Sequence, residues 1–266
     1  MTALESRNPA MRVLDQETPF GIERERSNVM TLGGTITATS ILLSIVAVVG
    51  VIVWQQINSA FASGQGMPGW AWPAVIVSMI AGIGISFIIA FKPKTAPVLA
   101  PVHAIIEGVF VGALTFVIPM QFIPPDQING PMIALQAATA TLAIAAAMLT
   151  GYATGILRVG PLLQKIMMTM LFGLIGYTAL IWILSFFGVG IWNGYADTGM
   201  MGIGFTVLCA GLASMFLLLD FKMIEEGVQR GAPKYMEWVG AWALMVTLVW
   251  LYIEMLRLFA KLQSRE

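Results

Sequence analysis

Seven runs of apolar residues, each long enough to cross a membrane, constrain the fold of this chain more than any other feature. They cover residues 30–54, 70–91, 98–120, 132–152, 166–188, 200–221 and 238–259. A helix needs about 20 residues to cross the hydrocarbon of a bilayer. Backbone groups in lipid must be satisfied within their own segment, so each run is predicted to be a helix. The predicted fold is an all-α integral membrane protein with a bundle of seven transmembrane helices.

The composition excludes a soluble domain. Hydrophobic residues make up 58% of the chain and charged residues 11%, whereas soluble domains carry roughly 25% charged residues. The net charge is zero, and without a basic tract nucleic acid is not an expected partner. The first 29 residues are polar and mixed in charge. We therefore divide the chain into a polar cytoplasmic tail, 1–29, and a transmembrane domain, 30–266.

The distribution of Lys and Arg predicts the orientation. Eleven lie in the tail and in the connections after the second, fourth and sixth runs, and the other three internal connections carry none. By the positive-inside rule the N-terminus is cytoplasmic, and a multi-pass protein of a bacterial inner (plasma) membrane is expected. Arg257, Lys261 and Arg265 then fall on the outer side, against the rule. Either the tail breaks the rule or the last segment is re-entrant; its length favours a full span.

The residue inventory argues against an enzyme. His103 and Cys209 are the single histidine and the single cysteine, too few for a histidine-rich or thiolate zinc site. The chain has no GxSxG sequence, so a serine nucleophile of that type is not indicated. We expect no catalytic residues and no cofactor.

Four ionisable residues within the runs are the candidate functional residues. Glu107 is about nine residues into the third run, or ~14 Å deep, and His103 precedes it by one helical turn. Asp220 closes the sixth run at its inner edge, and Glu254 is ~24 Å up the seventh. Acids in hydrocarbon are rare and mark ion or proton pathways. The three acids would form a ladder from inner edge to middle to outer half.

Each of these residues also has a purely structural interpretation. Asp220 could be a boundary residue held by Lys222 or Lys92, and Glu254 could pair with Arg257 three residues on. Glu107 has the weakest structural alternative, since its one nearby partner in sequence is His103. Gly108 and Gly112 in the same run make a GxxxG pattern, which favours close helix packing within the bundle over a dimer interface.

Four blocks of the chain resemble the Bax inhibitor-1 (transmembrane Bax inhibitor motif) family, in a bacterial branch. They are MTLGGTITATSILL, AFKPKTAPVLAPVHAIIEGVFVGALT, LLLDFKMIEEGVQRGAPKYMEW and MVTLVWLYIEMLRLFAKL. The resemblance covers about residues 30–263 and leaves the polar tail outside. It implies a bundle in which a central last helix is wrapped by the other six. It also implies a pH-sensitive calcium leak, gated by two aspartates on the sixth and seventh helices that share protons.

The second aspartate of the family is missing here. Asp220 matches the sixth-helix position, but Thr247 stands where the seventh-helix aspartate is expected. Glu254 lies seven residues later on the same helix face. Our hypothesis is that Glu107 and Glu254 supply the missing acid.

The expected function is a pH-sensitive cation leak, with Ca²⁺ as the expected ion and Asp220 as its expected contact. Asp220, Glu107 and Glu254 would line or gate the pathway, and the supporting or pH-sensing residues would be His103, Thr247, Arg257 and Lys222. The alternative is a non-conducting protein that binds a membrane partner, such as a quality-control protease, through residues 222–237 and the tail. A secondary transporter is a weaker third option, since no inverted repeat is visible.

Overall fold

The computed structural model describes residues 28–124 and 127–265, and within these ranges the chain forms seven helices long and apolar enough to cross a membrane. They are α1 (Leu32–Ala62), α2 (Ala71–Phe91), α3 (Ala96–Met120), α4 (Gly130–Ala153), α5 (Pro161–Phe186), α6 (Met200–Gln229) and α7 (Met236–Gln263). The predicted all-α seven-helix class is confirmed. Most of the tail and its four arginines lie outside the described residues.

Two helices extend well beyond their apolar runs. α1 continues to Ala62 and α6 to Gln229, because helix propagation stops at a breaker and not at a change of polarity. α6 is followed by Gly231 at φ 63°, a backbone conformation that favours glycine. The polar segment after Asp220 is therefore the last part of α6 and not a separate helix.

Close packing of α1 against α3 depends on glycine. A Cβ atom added at Gly112 would lie 2.4 Å from the Gly50 carbonyl oxygen, and one at Gly108 would lie 2.7 Å from Cβ of Val49. Small residues let helix backbones approach closely in lipid. The GxxxG pattern thus serves packing within the bundle, as predicted.

The last helix, α7, is central, although it does not contact all its neighbours equally. Its main contacts are with α1, α3, α4 and α6, whereas α2 packs on α3 and α5 packs on α6. The prediction of six helices around a central one is thereby refined to four direct neighbours with two peripheral helices. α5 leaves most of its apolar surface exposed, which suits contact with lipid.

The ends of the bundle show that α7 crosses it completely. At one end the Lys234 N–H donates to the Asn28 carbonyl, and the Met30 N–H donates to Ala232. At the opposite end Lys261 reaches the first turn of α6. The last segment is therefore a full span and not re-entrant. We call the end with residues 28–31 and 230–235 the basic end, and the end with residues 187–199 the neutral end.

Candidate functional site

The antiparallel helices α6 and α7 bring polar side chains together along one line. Asp220 of α6 faces Thr247 of α7, and Thr206 of α6 contacts Lys261 of α7 at 3.0 Å. The two contacts are fourteen residues apart on each helix, or two seven-residue repeats. Positions seven apart share one helix face, so both contacts belong to the same interface. Midway between them, the same register sets Glu254 opposite Ala213. We call this line, formed by Thr206, Asp220, Thr247, Glu254 and Lys261, the polar seam.

Asp220 is the layer of the seam nearest the basic end. Its side chain is buried, with 7% of the residue exposed. Oδ2, which we call its open oxygen, has no hydrogen-bond partner among the described residues. The Thr247 hydroxyl interacts with the carboxyl group and also donates to the Ala243 carbonyl at 3.1 Å. A hydroxyl has one proton and two lone pairs. Thr247 can therefore donate to an ionised Asp220 or, while bonded to Ala243, accept from a protonated one.

The structure corrects the predicted surroundings of Asp220. Because α6 continues to Gln229, Asp220 lies ~14 Å inside the helix end and not at its edge. Lys222 does not hold it: that ammonium donates to the Val159 carbonyl at 3.1 Å and lies 3.9 Å from Glu226. The predicted tether between Lys222 and Asp220 is therefore wrong.

Glu254 forms the middle layer of the seam, and its charge is paired. Its carboxylate accepts from the Arg257 guanidinium at 2.7 Å, and both side chains are largely buried. The guanidinium also lies over the Tyr195 ring, 4.8 Å from its centroid. The i,i+3 pair that we had considered as the structural alternative for Glu254 is thus present.

Lys261 forms the layer at the neutral end, and it is fully buried. Its ammonium donates to the Gly194 carbonyl at 2.7 Å, to the Gly202 carbonyl at 3.1 Å and to the Thr206 hydroxyl at 3.0 Å. We call these three oxygens the oxygen cage. We had counted Lys261 only as a cation that breaks the positive-inside rule. The signal available in the sequence was its spacing of seven from Glu254 and of fourteen from Thr247.

His103 and Glu107 form a separate polar cluster between α2 and α3. His103 Nε2 lies 3.1 Å from the Gly82 carbonyl oxygen, 3.2 Å from Ser86 Oγ and 4.0 Å from the Glu107 carboxylate. A carbonyl only accepts, so we assign the proton of the neutral ring to Nε2. Nδ1 then remains an acceptor, and within the described parts of the chain it has no partner. The predicted adjacency of His103 and Glu107 is confirmed.

The contacts between α3 and α7 fix the level of Glu107. His103 packs edge-on against Trp242, and Thr115 hydrogen-bonds Tyr252 at 3.0 Å. In this parallel register Glu107 is level with about residue 245, close to the level of Thr247 and Asp220. The predicted ladder is therefore wrong in its order. Two acids lie at one level in different helix pairs, and Glu254 lies ~10 Å further along α7. Thr247, and neither glutamate, is the residue that faces Asp220.

A cavity of about 450 Å³ lies between α1, α3, α4 and α7. Its lining is apolar apart from Trp54 and the hydroxyls of Thr115, Thr141 and Tyr252. A space of this chemistry fits hydrocarbon better than an ion. The candidate ion-binding groups are those of the polar seam.

Outside the membrane-spanning helices, the connection before α6 is held by Asp197. Its carboxylate accepts from the Gly199 N–H at 2.9 Å and from the Trp192 indole at 3.0 Å. These bonds, the Gly199 N–H first, lower the pKa of Asp197. Burial raises the pKa of the neighbouring Tyr195 phenol, which keeps that ring neutral beside Arg257. The connection therefore carries a fixed carboxylate near the oxygen cage.

Seven long apolar helices with buried ionisable groups between them define a multi-pass integral membrane protein. Within that class, the family model described as Bax inhibitor 1 like matches residues 7–264, nearly the whole chain. The chain belongs to this family. The match begins at residue 7, so it includes most of the tail that the four sequence blocks had left outside. No curated protein and no solved structure matches the chain closely enough to be compared with it.

Proposed function

We propose that this protein lets a cation cross the membrane along the polar seam, with Ca²⁺ as the expected ion. Protonation of Asp220 would control this passage. The observation that carries the proposal is the open oxygen of a buried carboxyl group at a helix–helix interface. Family membership supports it, since the resemblance implies a pH-sensitive calcium leak with an acid at this position. The protein would work without a cofactor and without a catalytic residue.

The chemistry of the open oxygen explains why pH would matter. A buried carboxyl oxygen without a protein partner is completed by a proton, by water or by a cation. Proton and cation therefore compete for the same atom. The Thr247 hydroxyl can adapt to either protonation state by exchanging Ala243 for Asp220 as its acceptor. One aspartate with a threonine would then do the work of the paired aspartates that the family resemblance implies.

The site is suited to a passing ion and not to a resident one. Ca²⁺ takes six to eight oxygen ligands when it is held tightly, and Asp220 with Thr247 offers three side-chain oxygens. Over the described residues, no group of three or more His, Cys, Asp or Glu side chains is placed to hold a metal. Conduction requires sites weak enough for the ion to leave. A single carboxylate with a hydroxyl fits that requirement.

The proposed setting is a bacterial inner membrane with the basic end in the cytoplasm. Lys92, Lys94, Arg158, Arg230 and Lys234 follow helices at this end, in accord with the positive-inside rule. Lys261 no longer opposes that orientation, because its charge is buried in the oxygen cage and is not free in a loop.

The test is Ca²⁺ entry into vesicles that contain the purified full-length chain and a trapped calcium indicator. The parent should pass Ca²⁺ at a rate that differs between pH 6 and pH 8, and Asp220→Asn should lose that difference. Glu226→Gln is a matched control, because it neutralises a more exposed acid on the same helix. An Asp220→Asn protein that conducts like the parent at both pH values contradicts the proposal.

A second candidate is a non-conducting protein that binds a membrane partner at the basic end. The observation that favours it is a surface joined from two parts of the chain: residues 28–31 pair with residues 232–234, and the Thr31 N–H and hydroxyl both donate to Glu237 at 3.0 and 2.8 Å. Gly34 leaves room for that carboxylate, since its added Cβ would lie 2.1 Å from Glu237 Oε1. Loss of a co-purifying partner on replacement of residues 230–235, with no Ca²⁺ entry by the parent, would favour this function.

A further inference from the structure

At the neutral end of the polar seam, the ammonium group of Lys261 occupies a set of oxygens of the kind that bind cations. The oxygen cage around Lys261 consists of two backbone carbonyls and one hydroxyl. These are the ligand types that proteins use for hard cations. An ammonium group has three donors, and the cage supplies one acceptor for each.

The charge of Lys261 is not cancelled inside the cage. All three cage oxygens belong to neutral groups. The nearest acid on the same helix, Glu254, is bonded to Arg257 at 2.7 Å, so that pair has no net charge. Asp197 acts on Lys261 from the adjoining connection, where its carboxylate is engaged by Gly199 and Trp192. Glu254, Arg257 and Lys261 together carry one positive charge between the helices, and the negative charge that acts on it, that of Asp197, lies outside the cage in the adjoining connection.

The position of the cage matters because it lies on the same helix faces as Asp220. From Thr247 to Lys261 the seam rises fourteen residues, or ~21 Å. A cation that follows the seam from the open oxygen toward the neutral end would meet an ammonium already bonded to the oxygens it needs. A fixed positive charge at a constriction excludes cations.

We propose that Lys261 closes the neutral end of the polar seam, its ammonium occupying the oxygen cage through which a cation would otherwise pass. This inference rests on the proposed function, since it concerns the same route. Opening the route would require the ammonium to leave the cage, or the connection that supplies Gly194 to move away from α7.

Lys261 is also a structural anchor, because it ties residues 187–199 to α7. The two roles differ in their effect on ions of opposite sign. Loss of a fixed positive charge raises cation passage and does not raise anion passage. A merely loosened bundle would pass both. The readout is therefore a pair of fluxes in the same vesicles, one for Ca²⁺ or K⁺ and one for chloride.

The experiment compares the full-length parent with Lys261→Met, which keeps an unbranched side chain, shorter by one atom, and removes its charge. Thr206→Val is the second variant, since it keeps the ammonium and takes away one cage oxygen with little change of shape. Lys94→Met, at an exposed lysine of the basic end, is the control. We expect Lys261→Met to raise cation flux at least fivefold with chloride flux unchanged, Thr206→Val to raise it less, and Lys94→Met to match the parent.

The outcomes separate this inference from the function on which it rests. A cation flux that is higher in Lys261→Met than in the parent, with chloride flux unchanged, supports the closure. A conducting parent with no further rise in either folded variant overturns the closure and leaves the proposed function standing. Equal rises in cation and chloride flux overturn it as well, in favour of the anchor alone. If Lys261→Met does not fold, the cation and chloride fluxes of Thr206→Val decide whether Lys261 closes the seam. If the parent and all variants behave like protein-free vesicles, the proposed function fails and the closure with it.

Discussion

The part of the polar seam at Asp220 and the part from Glu254 to Lys261 differ in how completely their polar groups are bonded. Asp220 and Glu254 are both carboxyl groups between the same two helices, and both are buried, with 7% and 3% of each residue exposed. Asp220 keeps an open oxygen beside a hydroxyl, whereas Glu254 is bonded to Arg257 and Lys261 fills the cage beyond it. Burial alone therefore does not distinguish an acid with a full set of partners from one with an open oxygen. The partners of the acid make that distinction.

The difference has a thermodynamic consequence. A buried ion pair that loses one partner leaves an uncompensated charge, and the protein is strongly destabilised. An acid without a full set of partners already lacks that stabilisation, so neutralising it should lower the free energy of unfolding only slightly. Substitution of Arg257, the partner of Glu254, should therefore change stability more than ion flux. Substitution of Asp220 should change ion flux more than stability.

The largest effect on stability is expected at the neutral end. Arg257→Met should lower the free energy of unfolding by about 3–5 kcal/mol, because Glu254 is left buried and unpaired. The double variant Glu254→Gln with Arg257→Met should recover most of this loss. Thermal unfolding of the purified proteins in detergent measures both.

The matched control is Arg230→Met. Arg230 pairs with Glu226 at 3.0 Å, but its side chain is 77% exposed. Such surface pairs contribute about 0–1 kcal/mol. Equal destabilisation by Arg257→Met and Arg230→Met would remove the contrast between the buried and the exposed pair.

The next effect tests Thr247 as the partner of Asp220. Thr247→Asp restores the two facing aspartates that the family resemblance implies, and two adjacent carboxyl groups resist holding two charges. The folded variant should keep one more proton than its unfolded chain. Its stability should then fall as pH rises, by at most about 1.4 kcal/mol per pH unit.

Unfolding of Thr247→Asp at pH 6 and pH 8 measures this, with Thr247→Asn as the uncharged control. A stability that falls equally with pH in both variants would mean that residue 247 does not face Asp220.

A smaller effect is expected from Asp220→Asn. Within residues 28–124 and 127–265 the carboxyl has an open oxygen and no cationic partner, so its replacement by an amide of the same shape should change the free energy of unfolding by about 1 kcal/mol or less. The same variant should lose the pH dependence of Ca²⁺ entry. Destabilisation as large as that of Arg257→Met would show that Asp220 is a structural acid like Glu254.

The smallest effect concerns Asp197 in the connection beside the oxygen cage. The Gly199 N–H holds the pKa of this carboxyl below its ordinary value. The resulting stabilisation is present above the ordinary pKa of an aspartate and is lost as pH falls through the lowered one. Asp197→Asn should therefore unfold slightly below the parent temperature at pH 5, and this difference should shrink as pH falls below the ordinary pKa of an aspartate. A difference that persists unchanged at the lower pH would assign the effect to something other than ionisation of Asp197.

Much of the fold could be predicted because hydrocarbon imposes strict requirements on a chain. Seven runs of sufficient length specify seven helices, and local spacing specifies the Glu254–Arg257 and His103–Glu107 neighbours. The end of α6 could not be predicted from polarity, since residues 222–229 are polar and yet helical. For that reason the sequence placed Asp220 near the end of a helix, whereas it lies nine residues before that end.

The remaining parts of the site depend on contacts between distant segments. Lys261 is bonded to groups 55 to 67 residues away in sequence, and no local pattern identifies Gly194 or Gly202 as its acceptors. Counting residues along single helices gives depth but not lateral position. For that reason Glu107 was grouped with Asp220 and Glu254, although it belongs to the interface of α2 and α3.

Ca²⁺ entry into vesicles by Asp220→Asn and Glu107→Gln, measured side by side at pH 6 and pH 8, tests the central claim most directly. Both variants neutralise an acid at the same level of the bundle, buried in the case of Asp220 and partly buried in the case of Glu107, and only Asp220 belongs to the polar seam. Loss of the pH dependence in Asp220→Asn, with the parent behaviour retained in Glu107→Gln, is the predicted result. Loss in Glu107→Gln with the parent behaviour retained in Asp220→Asn would contradict the account.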